Sequence, residues 1–253
     1  MFSKAIVRTP CKNIINGITT ANLGLPDYDL ALIQHQEYVE ALRRCGLEVI
    51  ILDADEDYPD STFVEDTALL TPHCAIITNP DASSRKGETA EIKNVLTKYF
   101  SNIETINNPG TVEGGDIMMV GDHFYIGLSR RTNINGAEQL INILKKYGMT
   151  GSLVTFDKVL HLKSGVAYLE NNNLAAAGEF LSKPEFQKFN ILKIDDDESY
   201  AANCVWINDH ILLPKNFPKA KKTIEKAYHN IIEVNVSEFQ KLDGGLSCLS
   251  LRF

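Results

Sequence analysis

The chain of 253 residues has a formal net charge of −8, with 44% hydrophobic and 23% charged residues. These proportions are typical of a globular protein with a well-buried core. The negative charge disfavours nucleic acid and anionic membrane surfaces as partners and favours a cationic ligand. No segment approaches the roughly 18 consecutive apolar residues that a membrane span needs. The amino-terminal sequence enters a strand-like pattern at once instead of a signal peptide, which predicts a cytoplasmic protein.

The cysteines are odd in number and include no CxxC pair: Cys11, Cys45, Cys74, Cys204 and Cys248. This pattern argues against a disulfide framework and against a structural zinc site, so reduced thiols are expected. Nothing in the composition requires a second domain, and we expect residues 1–253 to form one domain.

The amino-terminal part of the chain predicts a strand, a long loop, a helix and a second strand. The strands are expected at Ala5–Val7 and Val49–Leu52, and the apolar periodicity between them predicts a helix over Leu30–Cys45. The segment Thr9–Asp27 has no clear period and is rich in turn-forming residues. Loops of this length in compact domains are usually functional or disordered, and we interpret this one as a lid over a site.

From Phe63 onward, one order of elements repeats. Its first copy has predicted strands at Phe63–Leu70, Cys74–Thr78 and Ile103–Ile106, with a helix at Glu88–Phe100 before the third strand. Three more copies begin at Glu113, His161 and Asn203. A fifth begins with a strand at Leu246–Leu251 and can be completed only by the amino-terminal elements. Five units at a spacing of about 45 residues predict an α/β ring closed by pairing the last strand with the first.

Residues that carry chemistry recur at the start of these units. The opening segments contain, in chain order, Glu65 and Asp66, Glu113 and Asp116, His161, Asn203, and Cys248. In a ring of equivalent units these positions converge at one end of the axis. A lone cysteine on an apolar strand is usually an inert core residue. Cys248, however, lies at the position where the other units carry acids and a histidine, and this equivalence favours a functional thiol.

Cys248, His161 and Glu113 supply a nucleophile, an acid/base and a carboxylate that can orient the base. By themselves they fit a protease and an amidase equally well. Glu65 and Asp66 narrow the choice because apolar residues flank both, and buried carboxylates need a cationic partner. We interpret the missing partner as a ligand. A planar guanidinium matches paired carboxylates best.

Six motifs in register over essentially the whole chain resemble the dimethylarginine dimethylaminohydrolase family, particularly its bacterial form. They are Phe63-Val-Glu-Asp66, Glu113-Gly-Gly-Asp116, Gly127-Leu-Ser-Arg-Arg-Thr-Asn133, His161-Leu-Lys163, Ala201-Ala-Asn-Cys204 and Asp243-Gly-Gly-Leu-Ser-Cys248. The resemblance implies a five-bladed α/β propeller of ββαβ modules with pseudo-fivefold symmetry, in agreement with the repeat.

The resemblance also implies an activity: hydrolysis of Nω-methylated L-arginine to L-citrulline and dimethylamine or methylamine through a covalent thiouronium intermediate. It implies Cys248 as nucleophile, His161 as proton donor and base, and Glu113 as the carboxylate that orients it. No metal or cofactor is implied, although a thiolate beside a histidine can take up zinc as an inhibitor. A symmetric homodimer is a further expectation from the family.

The substrate-binding residues follow from the same resemblance. Asp66, assisted by Glu65, is expected to hold the guanidinium. The residues expected at the amino-acid end of the substrate are Arg85 and Arg131 for the α-carboxylate, and Asp60 with the backbone around Ile18 for the α-amino group.

Two alternatives stay open. One is an arginine deiminase-like hydrolase of another guanidino compound, although the helical insertion that arginine deiminases carry has no room between these units. The other is a catalytically silent arginine-binding or zinc-binding module. The intact set of Cys248, His161 and Glu113 argues against the silent module, and replacing Cys248 with serine would distinguish it from an enzyme.

Overall fold

Five separate three-stranded β-sheets, arranged as the blades of a propeller, make up the chain in a computed structural model that describes all 253 residues. In each blade the middle strand is antiparallel to the opening strand and parallel to the third strand. The parallel pairing requires a crossover between the last two strands, as in any βαβ unit. The predicted α/β propeller of ββαβ repeats is confirmed.

The fifteen strands are short, in keeping with small blades. In chain order they are β1 Lys4–Arg8, β2 Glu48–Leu52, β3 Ala68–Leu70, β4 Ala75–Ile77, β5 Ile103–Thr105, β6 Ile117–Val120, β7 His123–Leu128, β8 Thr150–Thr155, β9 Val166–Tyr168, β10 Asn173–Ala176, β11 Asn190–Lys193, β12 Val205–Ile207, β13 His210–Pro214, β14 Ile231–Val234 and β15 Leu251–Arg252. The predicted strands lie within a few residues of these bounds, with the two exceptions described below.

Four of the five crossovers contain an α-helix. The α-helices are α1 Tyr28–Arg44, α2 Glu88–Leu96, α3 Ile134–Lys146, α4 Pro218–Ile224 and α5 Ser237–Gln240, of which α5 lies outside the crossovers. Asp27 caps α1 by accepting a hydrogen bond from the backbone N–H of Leu30 at 3.0 Å. The blade formed by β9, β10 and β11 instead uses two 3-10 turns, Gly178–Ser182 and Pro184–Phe186, where the repeat predicts a helix. None of the helices has the length and apolar character needed to cross a membrane.

The two ends of the chain meet in one blade. Its strand order is β15–β1–β2, and Ala5 and Ile6 of β1 lie opposite Arg252 and Leu251 of β15. The backbone of Phe253 extends this pairing, because its carbonyl accepts hydrogen bonds from Ser3 and Lys4 at 2.7 and 2.8 Å. The predicted closure of the ring is therefore confirmed.

Two predicted strands are wrong in their first halves. Phe63–Leu70 begins with a 3-10 turn at Val64–Thr67 and becomes extended only at Ala68. Leu246–Leu251 begins with a 3-10 turn at Ser247–Leu249, so Cys248 does not lie on a strand. The apolar residues around each turn imitate the pattern of a buried strand, since a turn enclosed by neighbouring blades is also apolar.

Turns of this kind precede all five opening strands. Gly114–Asp116 and Leu162–Ser164 follow Glu113 and His161 directly, and the 3-10 segment Asp196–Ala202 precedes β12. Neighbouring turns pack against one another around the axis. A 3-10 turn is short and tightly wound. Because these turns lie next to one another before the opening strands, the side chains that they carry meet at one end of the propeller.

Candidate active site

One cavity at this end of the propeller gathers most of the predicted site residues. Its lining includes Cys248, His161, Glu113, Asp66, Arg85, Arg131, Asp60 and Ile18. These are eight of the nine residues predicted from the sequence, and Glu65 is the exception. Phe63, Leu160 and Leu242 add apolar surface, and Thr20, Asp243 and Gly244 complete the wall. A cavity in which polar and charged groups converge beside some apolar surface is suited to a small polar ligand.

His161 and Glu113 form the central hydrogen bond of the cavity. His161 Nε2 and Glu113 Oε2 are 2.8 Å apart, and both residues are buried. The second carboxylate oxygen of Glu113 has no hydrogen-bond partner, and Arg131 Nη1 lies 3.8 Å from it. The lack of a side chain at Gly115 leaves room for the ring of His161, because a Cβ atom at this position would lie 2.8 Å from the imidazole.

The charges around His161 favour its protonated form. Burial alone would lower the pKa of this histidine, but the carboxylates of Asp66, Asp116 and Glu113 outweigh burial and raise the pKa to about 9. Burial likewise opposes ionisation of Asp66, yet His161 and Arg85 lower the pKa of that carboxyl to about 2. At neutral pH the cavity therefore holds an imidazolium beside an ionised Asp66.

Cys248 lies in this cavity as a thiol. Burial raises its pKa to about 12, with further contributions from the negative charges of Glu65 and Asp66. The backbone N–H of Gly245 lies 3.5 Å from the sulfur and opposes this rise. Because thiolate, not thiol, is the nucleophile, the unliganded cavity holds the cysteine in its unreactive form. A cation bound beside Asp66 would cancel part of the negative field.

Asp66 already has a cationic partner within the protein. Arg85 Nη1 donates to Asp66 Oδ2 at 2.7 Å, and the backbone N–H of Gly115 donates to Oδ1 at 2.9 Å. Arg85 also binds both oxygens of Glu88 and the carbonyl of Phe63. The chain therefore supplies cations of its own to both buried carboxylates, Arg85 to Asp66 and Lys163 to Glu65, in addition to the ligand that the sequence predicts.

Glu65 does not line the cavity that holds Cys248. Its Oε1 accepts from Lys163 Nζ at 2.6 Å, and its Oε2 accepts from Ser247 Oγ at 2.8 Å, while Arg252 Nη2 lies 3.4 Å from Oε1. These four residues line a second cavity, which the opening strands of the five blades also line. The structure therefore does not bring Glu65 into the cavity that holds Asp66, although its charge still acts on the thiol of Cys248.

The segment interpreted as a lid covers one edge of the cavity. The backbone N–H of Ile18 donates to Asp60 Oδ1 at 3.0 Å, and both residues line the cavity. The backbone N–H of Thr20 donates to Asp243 Oδ2 at 2.5 Å, which ties the segment to the opposite wall. Leu25 is 75% exposed. Movement of this segment stays a prediction that hydrogen exchange with and without ligand would test.

Three side chains of the cavity could hold a metal ion. Asp66, Glu113 and His161 each offer one ligand atom, and these atoms lie within 4.8 Å of one another. Histidine and carboxylate ligands suit Zn²⁺, as does the thiol of Cys248 in the same cavity.

Several contributing residues have no role predicted from the sequence. Lys163 and Ser247 fix Glu65, and Glu88 binds Arg85 through two oxygens. Asn203 bonds to both the backbone and the hydroxyl of Ser247. Of these contacts only Arg85 with Glu88, three positions apart, carries a local sequence signal. The others join different blades and become visible only in the folded chain.

Comparison with known proteins gives consistent matches. The sequence model of the family described as "N,N dimethylarginine dimethylhydrolase, eukaryotic" matches residues 27–181. The chain is 54% identical over 254 residues to the N(G),N(G)-dimethylarginine dimethylaminohydrolase of Pseudomonas aeruginosa, covering 100% of both chains. It is 34% identical over 252 residues to the enzyme of that name from Streptomyces coelicolor, covering 98% of this chain and 96% of the other.

Comparison of structures leads to the same relative. A solved structure of the Pseudomonas aeruginosa enzyme, a cysteine-to-serine variant complexed with citrulline, superposes with a TM-score of 0.98 at 54% identity and covers 100% of both chains. The repeat, the cavity and these similarities agree on one assignment. The chain belongs to the dimethylarginine dimethylaminohydrolase family.

Proposed function

We propose that the chain hydrolyses Nω-methylated L-arginine, namely asymmetric dimethylarginine and monomethylarginine, to L-citrulline and dimethylamine or methylamine. The observation that carries the proposal is the shared cavity of Cys248, the hydrogen-bonded pair His161–Glu113, and Asp66. A cysteine, a charged histidine and a carboxylate facing one space are the groups that attack on a guanidinium carbon requires.

Substrate binding activates the nucleophile in this mechanism. The guanidinium binds beside Asp66 and cancels part of the negative field that raises the pKa of Cys248. The thiol then loses its proton to solvent, and the thiolate forms next to the carbon that it attacks. The enzyme therefore carries a reactive sulfur mainly when a cationic substrate is bound.

His161 serves both halves of the reaction. The thiolate forms a bond to the guanidinium carbon, and the imidazolium of His161, whose pKa is raised to about 9, gives its proton to the departing amine. This step leaves a thiouronium on Cys248 and a neutral imidazole. The imidazole accepts a proton from water, and the hydroxide adds to the carbon. The C–S bond then breaks with its electron pair going to sulfur, the hydroxyl proton passes to that sulfur, and citrulline leaves with Cys248 restored as a thiol. Glu113 orients the ring throughout through its hydrogen bond to Nε2.

The α-carboxylate and the α-amino group of the substrate are assigned to other residues that line the cavity. We assign Arg85 and Arg131 to the α-carboxylate and Asp60 with the Ile18 backbone to the α-amino group, with Glu65 acting on the guanidinium site through its charge. Arg131 has the freer guanidinium, because Arg85 is already bound to Asp66, Glu88 and Phe63. Arg131→Ala should therefore raise KM more than it lowers kcat.

A competition between methylated and plain arginine tests the proposal. Purified protein is given equal concentrations of asymmetric dimethylarginine and L-arginine, and dimethylamine, ammonia and citrulline are measured together. Dimethylamine in excess of ammonia supports the proposed activity. Ammonia as the favoured amine would support the deiminase-like alternative, and Cys248→Ser should abolish both products. Ligand affinity without any product from the wild type would indicate a silent binding module.

Four further properties belong to the same proposal. We propose a cytoplasmic homodimer that needs no cofactor and is inhibited by Zn²⁺ at Cys248. Light scattering at micromolar protein concentration tests the dimer. Treatment with EDTA tests the metal, because it should leave the activity of the purified protein unchanged and should reverse the inhibition caused by added Zn²⁺. The candidate zinc site is supported by the nearby ligand atoms of Asp66, Glu113 and His161.

A further inference from the structure

Asp116 is a fully buried carboxylate whose two oxygens bind two different segments of the chain. The backbone N–H of Leu162 donates to Oδ1 at 3.0 Å, and Ser129 Oγ donates to Oδ2 at 2.6 Å. The residue has 0% exposure and does not line the cavity of Cys248. A buried carboxylate costs several kcal/mol unless it is hydrogen-bonded, so each of the two bonds stabilises Asp116 in this position.

The Ser129 bond fixes the turn that carries Arg131. Ser129 Oγ accepts hydrogen bonds from the backbone N–H groups of Arg131 at 2.9 Å and Thr132 at 3.1 Å. Its own hydrogen is therefore directed at Asp116, since both lone pairs are occupied. Thr132 Oγ1 in turn accepts from the backbone N–H of Glu113 at 3.2 Å. The Ser129 hydroxyl, which donates to Asp116, therefore holds the backbone of this turn in place.

The Leu162 bond fixes the segment that carries His161. Leu162 follows His161 directly and is fully buried, so its backbone N–H has no access to water. Asp116 supplies the acceptor that this N–H would otherwise lack. One carboxylate thus joins the backbone beside the imidazole to the turn beside Arg131, and these two segments come from different blades.

We propose that Asp116 is a positioning residue that holds His161 and Arg131 in fixed relation across the cavity, with Ser129 as its intermediary. This inference rests on the proposed function. Asp116 touches neither the substrate nor the sulfur. Besides the effect of its charge on the pKa of His161, it acts through the backbone on the two ends of the substrate at once. Misplacement of reacting groups by about 1 Å can cost a hundredfold in rate, so the effect on turnover exceeds that of an ordinary buried hydrogen bond.

Two substitutions separate the two ends of the bridge. Ser129→Ala removes the acceptor of the Arg131 and Thr132 amides but leaves the bond from Leu162 to Asp116. Asp116→Asn preserves the side-chain volume but offers one acceptor instead of two. Its amide group would meet a Ser129 oxygen whose lone pairs are occupied, so one of the two ends must release its bond.

The expected kinetics differ accordingly. Ser129→Ala should raise KM for asymmetric dimethylarginine about tenfold with kcat within about threefold, whereas Asp116→Asn should lower kcat about a hundredfold and raise KM as well. Ser129→Thr retains the hydroxyl and should restore KM. Glu198→Gln is the matched control, because Glu198 is a buried carboxylate that accepts from the Ala220 N–H at 2.7 Å in another blade.

Amide hydrogen exchange without substrate completes the experiment. In Ser129→Ala the amides of Arg131 and Thr132 should exchange faster while that of Leu162 stays protected. Unchanged protection of all three overturns the bridge, even if the wild type proves inactive towards methylarginine. If the wild type is active, kinetic changes in both variants no larger than those of Glu198→Gln, at equal folded fraction, overturn the positioning role.

Discussion

Glu113 holds His161 through a hydrogen bond of 2.8 Å between Oε2 and Nε2, and both residues are buried. Replacing Glu113 with glutamine keeps the shape of the side chain but removes a negative charge that raises the pKa of the imidazole. The pKa should fall and the ring should lose its preferred orientation. We expect kcat to drop by about 10² to 10⁴.

The pH dependence of kcat provides the measurement. Because the wild-type imidazole must be protonated to release the amine, kcat should fall as the pH rises through the pKa of His161 in the substrate complex, which the neighbouring carboxylates raise above the ordinary histidine value. In Glu113→Gln this decline should begin at lower pH. Glu104→Gln, which removes a carboxylate paired with Lys146 and Tyr147 outside the cavity, is the control and should keep the wild-type profile. A profile that is identical in Glu113→Gln would contradict the assigned role.

The thiol of Cys248 should be slow to react with a neutral alkylating agent when no substrate is bound. Its pKa is raised to about 12 by burial and by Glu65 and Asp66, so the thiolate fraction at pH 7 is very small. Alkylation by iodoacetamide should accelerate continuously up to pH 10. Asp66→Asn removes one of the two charges and should speed alkylation at a given pH while abolishing turnover.

Peptide mass spectrometry follows the modification of each cysteine separately. Cys204, also buried and with its pKa raised to about 12 by burial, is the internal control and should stay unmodified. Rapid alkylation of Cys248 at pH 7 in the wild type would show that the thiolate exists before substrate binds. Equal rates in the wild type and Asp66→Asn would show that Asp66 does not control the thiol.

The repeat made the fold predictable, but the contacts between blades were not. Strand order and ring closure follow from five similar units, since each apolar segment needs a neighbouring segment to cover it. The turns at Val64–Thr67 and Ser247–Leu249 resemble strands in their apolar pattern. The pairing of Glu65 with Lys163 joins positions 98 residues apart, and nothing local to either residue indicates it. The convergence of Cys248 and His161 could be predicted from the sequence because both residues occupy equivalent places in the repeat.

His35 should make the protein less stable in mild acid. This residue of α1 is 5% exposed, its Nε2 has no hydrogen-bond partner, and burial lowers its pKa from 6.5 to about 4. The unfolded chain therefore binds this proton at higher pH than the folded chain does. The contribution is complete above the unfolded pKa and is lost as the pH falls towards 4, with a limit of about 3 kcal/mol.

Urea unfolding at pH 7 and pH 5 measures this loss. In His35→Leu the difference between the two free energies of unfolding should shrink, because the titrating group is gone and the other groups cancel in the comparison. His229→Leu, at an exposed histidine, should keep the wild-type difference. The same difference in all three proteins would show that His35 is not responsible.

The carboxyl-terminal residues should be required for folding and not only for activity. Leu251 is 4% exposed within a cluster that includes Ile6, Val64 and Ala68, and β15 carries the only pairing between the two ends of the chain. The ring of Phe253 also packs against Tyr99 and Phe100 after α2, at 5.3 Å between centroids in each pair. Deleting residues 249–253 removes all of these contacts and should leave an unfolded or aggregated chain.

A point substitution distinguishes the loss of packing from the loss of the strand. Leu251→Ala keeps the backbone of β15 and should reduce the free energy of unfolding by about 2 to 5 kcal/mol, the usual range for a buried leucine. Leu25→Ala, at a side chain 75% exposed, should change it by less than about 0.5 kcal/mol. Because Leu251 shares its cluster with Val64, which begins the turn that carries Asp66, the less stable variant should also lose turnover at temperatures below its unfolding transition. A deletion variant that is soluble, folded and merely slow would contradict this view, since closure of the ring would then be dispensable for the fold.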